Sequence, residues 1–131
     1  MVKAKLLIVD DNADIVRLMA KRLNSLGYDV VTAADGDEVL DVALSEKPDL
    51  ILMDVMMPGL DGISAGRRLK ANPDTRKIPI IMVTAKGERE DMMKAIQEAE
   101  AAEYIVKPFI VDQLLEKIDY VLTHYPKNNL S

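Results

Sequence analysis

Short apolar runs alternate along the chain with stretches whose apolar positions recur at helical spacing, a pattern that predicts repeating βα units and a parallel sheet. Five units can be counted, with strands expected near residues 4–9, 28–33, 49–54, 78–84 and 103–106. The second is short and only partly alternating, as an edge strand would be. Ile15, Met19, Leu23 and Leu26 mark a first helix that Gly27 stops. Asp35 caps a second, carrying Val39, Leu40, Ala43 and Leu44 and ended by Lys47-Pro48. A third starts around Asp61-Gly62 and ends before Pro73. The fourth runs from about Glu88 to Glu98 with Met92, Ala95, Ile96 and Ala99 facing inward, and a fifth follows Asp112 with Leu114, Leu115, Ile118, Val121 and Leu122. The domain is expected to occupy residues 1–123, leaving 124–131 (HYPKNNLS) as a tail or linker stub without apolar pattern.

This alternation places particular side chains at one edge of the sheet. Asp10-Asp11 and Asp54 each stand where an apolar run stops, Thr84 closes another, and Lys107-Pro108 follows the last. Ligands of open α/β sheets bind at the carboxyl ends of the strands, so the cluster follows from the fold reading.

At 131 residues the chain makes one domain with one substantial core. With 49% hydrophobic and 30% charged residues it is not a disordered composition, and zero cysteines exclude disulfides and thiolate metal sites. No apolar stretch reads as a signal peptide or membrane span, so a cytoplasmic location without membrane contact is expected. The net charge of −5 argues against direct nucleic-acid binding, and Arg67, Arg68, Lys70, Arg76 and Lys77 read as a solvated helix face.

Three carboxylates held together repel by about 4 kcal/mol per pair at roughly 4 Å and an effective dielectric near 20, so a compensating cation is expected. Hard oxygen donors with no His or Cys nearby favour Mg²⁺, with Mn²⁺ an alternative, and such a site suits phosphoryl chemistry. Asp54 is the best nucleophile, because it ends the central apolar run and precedes a turn; Asp10 and Asp11 are better placed to hold metal. Lys107 offers a cation and Thr84 a hydroxyl for the charge that develops.

The order DD, then D-x-x-M-P-x-x-D-G, then T-A ending an apolar strand, then Y-x-x-K-P-F resembles the receiver domain of two-component response regulators, over essentially the whole chain. The resemblance implies a doubly wound α/β fold of the flavodoxin-like (βα)5 type, a five-stranded parallel sheet in the order 2-1-3-4-5. It implies Asp54 as phosphoacceptor, Asp11, Asp54 and the Met56 backbone carbonyl as direct Mg²⁺ ligands, and Asp10 acting through water. Lys107 would pair with the phosphoryl group, Pro108 would hold the following turn with a cis bond, and Thr84 and Tyr104 would form the switch. The donor would be a sensor histidine kinase or a histidine phosphotransfer protein. The output partner would read the face made by the fourth helix, fifth strand and fifth helix, with phosphorylation-dependent dimerisation left open.

Some positions depart from the family pattern. Glu100 stands near a position often taken by glycine, so the fourth helix is expected to run on or its turn to be rebuilt. Met56 and Lys86, two residues beyond Asp54 and Thr84, fall where the family tunes phosphate lifetime; an apolar Met56 predicts slow autodephosphorylation.

Other readings were weighed against these. DDNAD mimics a calcium loop, but Ile15 and Lys21 replace its glycine and bidentate glutamate. Met53, Met82, Met92 and Met93 read as core or groove filling, Met57 as a turn residue, and His124 as a surface residue. By its residues alone Tyr104 reads almost as well as a surface tyrosine of an edge strand, and the family resemblance tips it to the switch. A pseudo-receiver that takes no phosphate, or a Mg²⁺-dependent phosphatase with an aspartate nucleophile, are the alternatives; the latter lacks the usual second acid at position 56.

Overall fold

A computed structural model describes residues 3–57, 59–85 and 89–126. Lys86, Glu88 at the expected start of the fourth helix, Pro58 of the D-x-x-M-P-x-x-D-G motif and the tail beyond residue 126 lie outside the described residues. In chain order the elements are β1 (Lys5–Val9), α1 (Ala13–Ser25), β2 (Asp29–Ala33), α2 (Gly36–Glu46), β3 (Leu50–Asp54), α3 (Gly62–Ala71), β4 (Ile80–Ala85), α4 (Arg89–Glu98), β5 (Glu103–Lys107) and α5 (Val111–His124). Every strand pair is parallel and the order is β2-β1-β3-β4-β5, the doubly wound flavodoxin-like arrangement.

The alternation of side chains along each strand builds two separate cores. Leu7, Val9, Ile51, Met53, Ile80 and Met82 pack against α2, α3 and α4 through Val39, Ala43, Leu69, Ala95 and Ala99. Their neighbours Leu6, Ile8, Leu50, Leu52, Ile81 and Val83 pack on the other face against Leu23 of α1 and Leu114, Ile118 and Val121 of α5. Strand β3, in the middle, is buried along its whole length, which is why its sequence reads as an unbroken apolar run.

Helix boundaries have local causes. Asn12 caps α1 by accepting the N–H groups of Asp14 and Ile15 at 3.1 and 3.2 Å, and Gly27 at φ 102° turns the chain into β2. Asp35 and Asp61 cap α2 and α3 in the same way. Lys47 closes α2 in a left-handed conformation. The fifth helix begins at Val111, before Asp112, with the Gln113 carboxamide accepting the Ile110 N–H at 3.2 Å.

Several expectations are corrected. Helix α4 stops at Glu98 and Glu100 itself takes a φ of 51°, so the turn keeps its left-handed residue without the glycine. Ile96 and Met93 face solvent on α4, where Ala95 and Ala99 carry the burial. Ile15 lies on the exposed side of α1. Met57 joins the core and is not merely a turn residue. Lys70 leaves the basic stripe: its ammonium donates to the carbonyls of Arg76 and Ile78, both at 3.0 Å, and burial lowers its pKa while the nearby Glu100 charge raises it.

Candidate functional site

The carboxyl ends of β1, β3 and β5 converge as the apolar runs suggested. One carboxylate oxygen from each of Asp10, Asp11 and Asp54 lies within 4.8 Å of the others. Asp10 and Asp54 are buried, 8% exposed each, and Asp11 faces solvent. The Lys107 ammonium, at the end of β5, donates to Asp54 Oδ2 at 2.8 Å and to Asp10 Oδ2 at 3.2 Å. Backbone groups occupy the remaining oxygens: Asn12 N–H donates to Asp10 Oδ1 at 3.0 Å, and Met56 N–H to Asp54 Oδ1 at 3.1 Å.

The loop after β3 reaches this position through close backbone contact. Gly62 N–H donates to the Val55 carbonyl at 3.0 Å, and any Cβ on Gly62 would collide with the Asp54 carbonyl oxygen. The first turn of α3 therefore presses against the strand end that carries Asp54, which only glycine permits.

The electrostatics are unequal for the two partners of the central ion pair. Burial pushes the Asp54 carboxyl above the ordinary carboxylate value; the Lys107 and Met56 hydrogen bonds pull it back and the Asp10 charge raises it further. For Lys107, burial favours the neutral amine, but the hydrogen bond to Asp54 and the charges of Asp54 and Asp10 outweigh it, so its pKa is raised. The asymmetry is physical. The ammonium gathers two carboxylates, whereas Asp54 gathers one ammonium and one like charge. Three carboxylates against one ammonium leave two negative charges, and this all-oxygen donor set fits a hard divalent cation.

Thr84 ends the buried part of β4 and is 1% exposed. Its Oγ1 has no hydrogen-bond partner among the described residues, an uncommon state for a buried hydroxyl. Tyr104, on β5, is half-buried beside the α4-side core. The Lys117 ammonium sits 5.7 Å from its ring centroid and pairs with Glu103 at 3.4 Å. Met56 is 59% exposed, Pro108 is exposed, and the Lys107–Pro108 bond is cis. His124 is on the surface, stacked on Tyr120.

Sequence reasoning overlooked Asn12. It caps α1 and its N–H fixes Asp10, so one residue sets both the helix start and an acid's orientation. The available signal was an asparagine three residues before Ile15 at the head of an apolar period.

Comparison with known proteins gives consistent matches. The family model described as "Response regulator receiver domain" matches residues 6–119. The "Probable transcriptional regulator ycf27" of Porphyridium aerugineum is 42% identical over 134 residues, covering 99% of this chain and 54% of the relative. The chain thus spans about half the length of the curated relatives it matches. Among solved structures, the signal receiver domain of a signal transduction histidine kinase from Syntrophus aciditrophicus superposes with a TM-score of 0.86 at 28% identity, covering 98% of this chain and 95% of that one. The receiver domain of sensor histidine kinase PA1611 from Pseudomonas aeruginosa PAO1, which carries a magnesium ion in its active-site cleft, gives 0.81 at 35% identity, with 89% and 95% covered.

Proposed function

Because this chain belongs to the response regulator receiver domain family, we propose that it is a phosphorylation-activated signalling switch whose phosphoacceptor is Asp54. The observation that carries this is the Lys107 ammonium bridging Asp54 and Asp10 at 2.8 and 3.2 Å beside a third acid. The donor is a phosphohistidine on a sensor histidine kinase or a histidine phosphotransfer protein. An Asp54 carboxylate oxygen bonds to phosphorus, the P–N bond breaks, and its electron pair leaves with the donor's imidazole. Hydrolysis of the acyl phosphate returns free Asp54, so the domain's own chemistry is limited to its phosphorylation and dephosphorylation.

Asp11, Asp54 and the Met56 carbonyl would hold Mg²⁺, or Mn²⁺, with Asp10 acting through water. The ion supplies neutralisation of charge on the phosphoryl oxygens. Lys107 exchanges part of its carboxylate contact for the phosphoryl oxygens, and Pro108 holds the turn behind it. The Thr84 hydroxyl, without a hydrogen-bond partner among the described residues, donates to the same group. Tyr104 then moves into the space Thr84 vacates, and the α4-β5-α5 face changes for an output partner. Moving such an equilibrium from 1:99 to 99:1 takes about 5.5 kcal/mol of differential stabilisation.

The receiver unit is placed at residues 1–123, although α5 includes His124, with the remainder as tail or linker. Its place of work is the cytoplasm. Among the described residues no helix is long and apolar enough to cross a membrane. Met56, with Lys86, sets the phosphate lifetime. With no polar group on Met56 to orient water, autodephosphorylation is slow, and a half-life of seconds for the isolated domain would contradict this.

The deciding experiment is mass spectrometry after treatment with acetyl phosphate and Mg²⁺. A single phosphoryl adduct on the native chain and none on Asp54→Asn is expected. An adduct retained by Asp54→Asn would remove Asp54 from its role, and no adduct on either, with no beryllofluoride binding, would leave a non-phosphorylated interaction module.

A further inference from the structure

Eight methionines are unusual for a chain with one phenylalanine, and one of the exposed ones follows the strand that ends in Asp54. Met53 and Met82 are fully buried and Met57 is 9% exposed, but Met56 is 59% exposed directly after the strand that ends in Asp54. Its position is not that of a loose loop residue: its N–H is bonded to Asp54 Oδ1 at 3.1 Å, so the side chain projects from a backbone fixed to the phosphoacceptor. On its other side Met56 lines a cleft of about 350 Å³ between α3 and α4 that Asp61, Ser64, Arg67 and Lys94 also line.

We propose that Met56 is a redox-modification site: oxidation of its exposed thioether by a peroxide turns an apolar side chain beside Asp54 into a hydrogen-bond acceptor that orients water and shortens the life of the acyl phosphate. This rests on Asp54 being the phosphoacceptor. In the modifying step the sulfur lone pair attacks one peroxide oxygen, the O–O bond breaks and an S–O bond forms. The sulfur is oxidised by two electrons and the peroxide leaves, after proton transfer, as water or an alcohol. The sulfoxide oxygen can accept a hydrogen bond from a water approaching the phosphoryl group, which the thioether does not do effectively. The signal would be erased while the histidine kinase remained unaltered, and methionine sulfoxide reductase chemistry would restore it.

Hydrogen peroxide treatment followed by peptide mass mapping is expected to find oxygen on Met56 and on the similarly exposed Met93 (54%), well ahead of Met53 and Met82. Treated and untreated protein are then loaded with acetyl phosphate and Mg²⁺, freed of donor, and followed for loss of phosphate. One added hydrogen bond to the attacking water corresponds to a lifetime about 2- to 10-fold shorter in the treated native chain. Met93→Leu should respond as the native chain does, Met56→Leu should not respond, and Met56→Gln should decay faster than Met56→Leu without peroxide. An unaltered lifetime with Met56 oxidised, or equal shortening in Met56→Leu, overturns the inference while leaving the phosphoacceptor intact. Failure of untreated protein to take phosphate at Asp54 overturns both.

Discussion

Thr84 buries a hydroxyl with neither donor nor acceptor beside it among the described residues, and leaving such a group unpaired costs about 1–3 kcal/mol. Thr84→Val keeps the shape and removes the polar atom, so urea unfolding should show the variant more stable by about 1–2 kcal/mol; a loss of stability would mean the hydroxyl has a partner in solution. Asp54 carries a related cost. Its folded pKa is raised above the ordinary 3.8, so between those two values the folded state binds more protons than the unfolded chain. Its contribution to stability therefore falls as pH rises through that window and stays lost above it. Asp54→Asn should accordingly be more stable than the native chain at neutral pH, with the advantage disappearing below about pH 3.8. Unfolding curves at the two pH values check this, and an advantage independent of pH would refute it. The acids themselves were legible, because each ends an apolar run. The isolation of Thr84 and the burial of Lys70 were not, since both depend on groups brought up by other parts of the chain.

Among elements, the turn between α4 and β5 shows what a pattern cannot tell. Glu100 occupies a left-handed conformation at φ 51°, which strains an L residue with a Cβ by about 1–2 kcal/mol. Glu100→Gly should raise the stability measured in urea by about 1 kcal/mol, and no gain would indicate that the through-space attraction between Glu100 and Lys70 offsets the strain. The inner strands β1, β3 and β4 were readable to within two residues, because a parallel strand covered on both faces must be continuously apolar. The inward face of α4 was misjudged for a packing reason. A Cβ on Gly66 of α3 would come within 2.6 Å of the Ala99 Cβ, so these helices meet through small residues, and the larger Ile96 and Met93 are turned outward.

At the level of the whole molecule, the sheet divides two apolar cores and gathers the charge at one rim. A cation bound there should stabilise the entire fold. At free Mg²⁺ a hundredfold above its dissociation constant the folded state gains about 2.7 kcal/mol, seen as a rise in the thermal midpoint that Asp11→Ala removes; an equal rise in Asp11→Ala would place the ion elsewhere. The topology was readable from βα alternation plus family resemblance. The Lys107 bridge also has a consequence for biosynthesis. Lys107 lies 97 residues after Asp10 and 53 after Asp54, and at ribosomal speeds of about 5–20 residues per second the acids leave the exit tunnel several seconds before it. The nascent chain therefore holds Asp10 and Asp54 without the ammonium that bridges them, and the charge cluster is complete only once the last strand has emerged.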